Sequence, residues 1–238
     1  MAQLQFHSSE LDPRCARDGE GAAFQQFIFE VNEPELPHLH PYPAGGKDGG
    51  IDHLTDEAGK PRVAIECKFC GTDGIEEVRK RWKVTKGNLE ANLAAADEPK
   101  QSQYRSWYRT DEPIARYIFT TSARLENAAR VDELRDEIRN FFHGLAARHA
   151  HLAHLGGLVV EVHDWNYIEG RVPAFLRFRW FPGERPAGLR LLATEDENAT
   201  GFRAWLRSST LPFYSRAAHL AVDPAPTVAT CLTRRRCW

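Results

Sequence analysis

The segment that most restricts the fold is residues 62–69, RVAIECKF. A β-strand sends alternate side chains to opposite faces. Val63, Ile65, Cys67 and Phe69 therefore form one wholly apolar face, while Ala64, Glu66 and Lys68 share the other. In a buried sheet each face is covered by a helix, which places Glu66 and Lys68 in the interior. Burying a carboxylate and an ammonium is costly unless they pair or hold a ligand. The competing reading is an exposed strand with an ordinary, weak salt bridge.

The neighbouring segments give this strand its context. Residues 51–55, IDHLT, read as a strand and residues 56–60, DEAGK, as a turn, so residues 51–69 form a β-hairpin. Upstream, Phe24, Phe27, Ile28 and Val31 have helical spacing within residues 20–31. Pro34, Pro37, Pro41 and Pro43 then make residues 32–50 a loop ending in GGKDGG, where the glycines allow close backbone packing and positive φ. A third early strand is not placed by pattern, and FIFEV can be read as partly strand.

Downstream, Ile75, Val78, Trp82, Leu89 and Leu93 fall at offsets 0, 3, 7, 14 and 18, one stripe of an α-helix over residues 75–93. Residues 114–121 read as a strand, 124–147 as a long amphipathic helix, and 157–163 and 174–181 as further strands. Such alternation predicts an α/β fold, a central mixed sheet flanked by helices. After Pro182 the pattern weakens. Residues 200–216 suit a helix and a turn, and residues 223–238 carry no clear period. The expected division is a domain over residues 1–183 and an extension or linker over 184–238.

Charge and cysteine usage narrow the function. A net charge of -2 and a pI near 6.6 are not those of a protein that simply coats nucleic acid. Any nucleic-acid affinity has to come from local patches and a metal. No run of about 18 apolar residues is present, so no membrane span is expected. The N-terminus lacks a signal-peptide pattern, and the expected location is the cytoplasm. The five cysteines, Cys15, Cys67, Cys70, Cys231 and Cys237, are odd in number and irregular in spacing, which argues against a disulfide framework. Cys67 and Cys70 form a C-x-x-C that could hold zinc with His38 and His40. Alternatively, Cys67 is a small core residue.

Asp52 lies fourteen residues before Glu66, and the hairpin brings it toward the same end of the sheet. Two carboxylates are hard oxygen ligands suited to Mg²⁺. A lysine beside them can orient a water or stabilise charge developing on phosphorus. GGKDGGID followed by IECK resembles the PD-(D/E)xK superfamily, the restriction-endonuclease-like fold, and the G-I-D form is similar to its Mrr-like branch. Ile51 stands where the family carries proline, a departure common in that branch.

The resemblance covers residues 20–145 and implies an αβββαβ core. It implies a metal-dependent endonuclease hydrolysing DNA, most simply double-stranded, to 5′-phosphate and 3′-hydroxyl ends. Asp52, Glu66 and Lys68 would be catalytic. Asp52, Glu66 and the Cys67 backbone carbonyl would hold Mg²⁺, for which Mn²⁺ can substitute, and Glu20 would be the glutamate of the first core helix. A fainter resemblance, through FRAWLRSSTLPFYSR, is to the effector nucleases of antiviral defence proteins. It implies control by homo-oligomerisation or by a sensor or NTPase partner, although no phosphate-loop motif is present.

Other readings stand beside these. Asp52 could cap the glycine turn, and Asp48 competes with it for the metal. Glu20 also suits a first-turn helix acid. His38 and His40 suit either a surface loop or a DNA groove. Lys80, Arg81, Lys83 and Lys86 are well placed for phosphate contacts, or form a solvated helix face. Arg234, Arg235 and Arg236 form a basic tail that needs no function. For the whole chain, the alternatives are a catalytically silent nucleic-acid-binding or assembly module with a nuclease fold, and an RNA-cleaving nuclease.

Overall fold

The computed structural model describes residues 8–11, 19–42, 49–94 and 102–181. Met1–Pro173 form one compact unit and Ala174–Trp238 a second. Expectations that fall outside the described residues are Asp48 as a rival ligand, the extension over 184–238 with its helix at 200–216 and loose end at 223–238, and the basic tail of Arg234, Arg235 and Arg236.

In the first unit, helix α1 (Glu20–Asn32) leads into three strands, β1 (Leu39–Pro41), β2 (His53–Thr55) and β3 (Arg62–Lys68). Helix α2 (Ile75–Leu93), strand β4 (Ile114–Thr121), helix α3 (Ala128–Arg148), strand β5 (Val159–His163) and helix α4 (Trp165–Arg171) follow. The sheet runs β1-β2-β3-β4-β5, antiparallel up to β3 and parallel from β3 to β5. The fold is thus α/β, with an open mixed sheet and helices, and α1 to β4 run in αβββαβ order.

The expected hairpin is present, with His53 opposite Ile65 and Leu54 opposite Ala64. Its turn uses Gly59 at φ 76°. The missing early strand is β1, inside the stretch read as loop. The proline pattern hid it, because proline lacks an N–H for the ladder. β1 is an edge strand, where proline is tolerated, and Pro41 pairs with His53. FIFEV is helical throughout, part of α1.

Both faces of β3 are covered. On one, Phe24 of α1 meets Phe69 at 6.2 Å between ring centroids, and Phe29 meets His53 at 5.6 Å. On the other, Ala64, Tyr117 and Phe119 pack with α2 and α3. The Trp82 ring stands edge-on to Phe119 at 5.8 Å and to Phe141 at 5.5 Å, contacts worth about 0.5–1.5 kcal/mol each beyond area burial. Helix α2 spans the expected residues and carries Glu76 and Glu77 in its first turn, where they complement the dipole. Helix α3 starts at Ala128 rather than at 124, because Asn127 caps it, accepting from the Arg130 N–H at 3.1 Å.

In the second unit, residues 174–181 are not a strand: Ala174–Trp180 is helix α5. The alternation of arginine with aromatics imitates a period of two. Leu176 and Trp180, four apart and both buried, follow the helical period instead, and Pro173 suits the start of a helix. Among the described residues no helix is long and apolar enough to cross a membrane.

Candidate active site

Glu66 lies near the C-terminal end of β3, fully buried. Its side chain lies on the face opposite Ile65 and Cys67, as strand alternation predicts, and that face meets α2. Oε1 accepts from the Thr85 hydroxyl at 2.5 Å and faces the Lys68 ammonium at 2.5 Å. Oε2 accepts from the Tyr117 hydroxyl. A carboxylate accepts about four hydrogen bonds, so Oε2 retains an acceptor position. Lys68 is 22% exposed and stands between the buried carboxylate and solvent.

Asp52 sits one residue beyond the last pair of the β2–β3 ladder and is also buried. Its backbone N–H donates to the Ile65 carbonyl at 2.8 Å. Its Oδ2 accepts from the Cys67 N–H at 2.6 Å and its Oδ1 from the Gln25 side-chain amide, also at 2.6 Å. Asp52 is thus locked to the backbone residue between Glu66 and Lys68, and does not serve merely as a turn cap.

The loop before Asp52 is held closely. Gly50 has φ 75°, and a Cβ there would lie 3.3 Å from the Thr85 methyl carbon. The Trp107 indole N–H donates to the Gly49 carbonyl at 2.8 Å. Beyond Lys68, the Ser122 N–H donates to the Lys68 carbonyl at 3.1 Å, and the Cys70 N–H to the Ser122 hydroxyl at 2.7 Å. These bonds tie the ends of the parallel strands β3 and β4 together, the end of a sheet where α/β proteins place ligands.

Glu20 opens α1 and is exposed. It lines a cleft of about 220 Å³ with Phe69, Cys70, Gly71, Thr72 and Asp73, the residues that follow Lys68. Among the described residues no hydrogen bond or ion pair joins Glu20 to Asp52, Glu66 or Lys68. The α1 side chain that reaches Asp52 is Gln25, one of two glutamines inside an apolar helix.

Of the four basic residues proposed for nucleic acid, Lys80 and Arg81 both pair with Glu77, at 3.4 and 3.2 Å. The Lys86 ammonium lies 5.7 Å from the Phe141 ring centroid on α3. Lys83 is exposed. Lys80, Lys83 and Lys86 follow one another at intervals of three along α2, and Arg81 lies off that row.

The two cysteines part company. Cys67 Sγ lies 3.8 Å from His53 Nδ1 on the α1 side, where burial and the charge of His40 lower the His53 pKa to about 4. Cys70 Sγ lies 3.4 Å from the Thr121 hydroxyl, and burial pushes its thiol up. His40 Nδ1 lies 3.3 Å from the His38 carbonyl. Among the described residues no three His, Cys, Asp or Glu side chains come together as a metal cluster. A cation at this site would rest on two carboxylates completed by the Cys67 carbonyl and water. Hard oxygens of that kind suit Mg²⁺, which keeps several waters.

Three site residues escape the sequence reading. Thr85 occupies offset 10 of the α2 stripe, the gap between Trp82 and Leu89, and is buried like its neighbours. A polar residue at a core position was the available signal. Tyr117 lies opposite Ala64 on β4, on the face that carries Glu66, and Gln25 reaches Asp52 from α1. No protein-family model matches the chain, no curated protein is significantly similar to it, and no solved structure significantly matches its fold.

Proposed function

We propose that this protein is a metal-dependent endonuclease of the PD-(D/E)xK type that hydrolyses DNA phosphodiester bonds. The observation that carries the reading is the arrangement at the end of β3. Glu66 and Lys68 pair at 2.5 Å, and Asp52 is bonded to the backbone N–H of the residue between them. The αβββαβ order of α1 to β4 supports it as well.

Asp52, Glu66 and the Cys67 carbonyl would hold Mg²⁺ or Mn²⁺. When bound, such a cation supplies Lewis-acid stabilisation of phosphoryl oxygen and a low pKa for its water. Lys68 would offer its ammonium to negative charge building on the phosphate, or would orient the attacking water. Gln25 keeps the Asp52 carboxylate turned to the strand end. Glu20, at the mouth of the adjoining cleft, is proposed to meet substrate there. Lys80, Arg81, Lys83 and Lys86 would contribute phosphate contacts by exchanging local partners for DNA. A cytoplasmic enzyme of this kind endangers its own host, so control by self-association or by a sensor or NTPase partner, as in antiviral defence, belongs to the same proposal.

One observation favours a second reading, a silent nucleic-acid-binding module: Glu66 is buried and already takes three donors. Incubating the protein with supercoiled plasmid and tRNA in parallel, with Mg²⁺ or Mn²⁺, separates the possibilities. Nicking of plasmid that disappears in Asp52→Ala and Lys68→Ala is the expected result. Degradation of tRNA alone would make the enzyme a ribonuclease. DNA binding that survives chelation without cleavage, or full activity in Lys68→Ala, would sink the nuclease reading.

A further inference from the structure

We propose that Tyr117 and Thr85 are positioning residues that clamp the two oxygens of Glu66 and fix the angle at which this carboxylate meets a divalent cation. The inference rests on the nuclease reading above. Its starting point is chemical. A fully buried carboxylate needs donors, and a lone lysine beside it on the same strand would satisfy that need in many orientations. Here the donors come from three elements. Lys68 belongs to β3 itself, Tyr117 to β4 and Thr85 to α2. Three anchors on separate elements restrain how the carboxylate can turn without losing one of them.

The clamp is itself rigid. Tyr117 is fully buried, with its ring 5.1 Å from Phe142 and 5.7 Å from Trp107 between centroids. A ring so enclosed cannot swing its hydroxyl away. Thr85 lies on the buried stripe of α2, and its χ1 is restricted by β-branching. Its methyl group faces Gly50, two residues before Asp52, closely enough that a Cβ at Gly50 would crowd it at 3.3 Å. The Thr85 side chain thus touches the supports of both carboxylates: its hydroxyl holds Glu66 and its methyl backs the turn that delivers Asp52. Trp107 joins the same assembly, since it packs on Tyr117 and donates to the Gly49 carbonyl. Groups that hydrogen-bond a metal-binding carboxylate orient it, and their loss commonly costs about 10–100-fold in metal affinity or activity.

The test uses the full chain and Mn²⁺ alone as the probe, titrated calorimetrically, beside plasmid nicking and a thermal melt followed by circular dichroism. Tyr117→Phe should weaken Mn²⁺ binding and lower kcat by about 10–100-fold, with KM for DNA unchanged. Thr85→Val should act in the same direction, and Thr85→Ser, which keeps the hydroxyl but not the methyl, should recover most of both quantities. Should Tyr117→Phe fail to fold, the Thr85→Val and Thr85→Ser pair decides. Folded variants with wild-type Mn²⁺ affinity and kcat, whatever their melting temperature, would give the hydroxyls a structural role only and overturn the inference. Wild-type protein that binds Mn²⁺ without cutting refutes the nuclease reading, while the affinities still judge the clamp. Wild-type protein that neither binds Mn²⁺ nor cuts overturns both.

Discussion

Two carboxylate–cation pairs lie on the same sheet, one at its centre and one at its rim. At the centre, Glu66 and Lys68 stand two residues apart on β3, the carboxylate fully buried. At the rim, Arg116 of β4 and Glu161 of β5 form a two-pronged pair, Nε to Oε1 at 2.5 Å and Nη2 to Oε2 at 2.7 Å. The rim pair has the better ionic geometry and keeps about a third of each side chain in solvent. Its worth is that of a good surface pair, at most about 1 kcal/mol. The central pair has no such excuse. Burying the Glu66 carboxylate and most of Lys68 carries a desolvation cost that can exceed their attraction, and apolar residues of similar volume often fold as well or better at such a position. A charged pair at the centre of a sheet, with hydroxyls from two other elements to satisfy it, is what the proposed function would require there.

Breaking the central pair should have the largest effect. Lys68→Ala leaves Glu66 buried without its cation. Removing one partner of a buried pair costs about 3 kcal/mol or more, tempered here by the 22% exposure of Lys68, and cleavage should fall by about 10²–10³-fold. Combining Glu66→Leu with Lys68→Met, in a Tyr117→Phe, Thr85→Val background that leaves no buried hydroxyl without its acceptor, should also lose cleavage, yet melt above Lys68→Ala, because no unpaired charge remains. Thermal melts and plasmid nicking on the two variants check this. A combined variant that melts below the single one would mean that the pair is there for stability.

The same contrast explains what could be read from sequence. Alternation along residues 62–69 isolated Glu66 and Lys68, because burial on both faces of a strand leaves charged residues nowhere ambiguous to point. Hairpin spacing then carried Asp52 to them. The stripe of α2 and the strand β4 were equally plain, since each is anchored in the core. What escaped were features that depend on partners distant in the chain. Thr85 and Tyr117 become site residues only because α2 and β4 pack on one face of β3. Gln25 acquires its role across the opposite helix. β1 was hidden by a proline that only an edge strand accepts, and α5 by a short run whose alternation mimics a strand. Glu20, Lys80, Arg81, Lys83 and Lys86 were chosen on residue type and neighbourhood. Local ion pairs on α2 account for two of those basic side chains.

Two glycines sharpen the comparison with a smaller expected effect. Gly50 and Gly59 share nearly the same left-handed backbone, φ 75° and 76°. An alanine in that region costs about 1–2 kcal/mol from the backbone alone. At Gly59, in the hairpin turn, nothing lies within 4 Å of an added Cβ, so backbone strain is the whole cost. At Gly50 the methyl group meets Thr85 at 3.3 Å and Leu89 at 3.4 Å. Gly50→Ala should therefore unfold more easily than Gly59→Ala in urea and also lose cleavage, because the strain is relieved by moving Thr85 off Glu66. Gly59→Ala should keep full cleavage. Equal activities in the two variants would mean that the turn before Asp52 does not communicate with the site.

Breaking the rim pair should have the smallest effect, and one confined to stability. The Arg116 guanidinium beside Glu161 holds that carboxyl below its ordinary value of 4.5, with burial opposing and His163 adding to the depression. The folded state thus binds a proton on Glu161 less readily than the unfolded chain does. The stabilisation is complete above about pH 4.5 and is lost as pH falls through the lower, folded value. Arg116→Ala should cost about 1 kcal/mol or less at neutral pH, and nothing once Glu161 is protonated in both states. The difference between variant and wild type in urea denaturation should therefore be constant at neutral and mildly acid pH and shrink as pH falls below about 4.5. Cleavage at pH 7 should be unchanged, because no hydrogen bond or ion pair among the described residues links Arg116 to Asp52, Glu66 or Lys68. A loss of cleavage in Arg116→Ala without a matching loss of stability would extend the functional site across β4 to the edge of the sheet, and the division between centre and rim would fall.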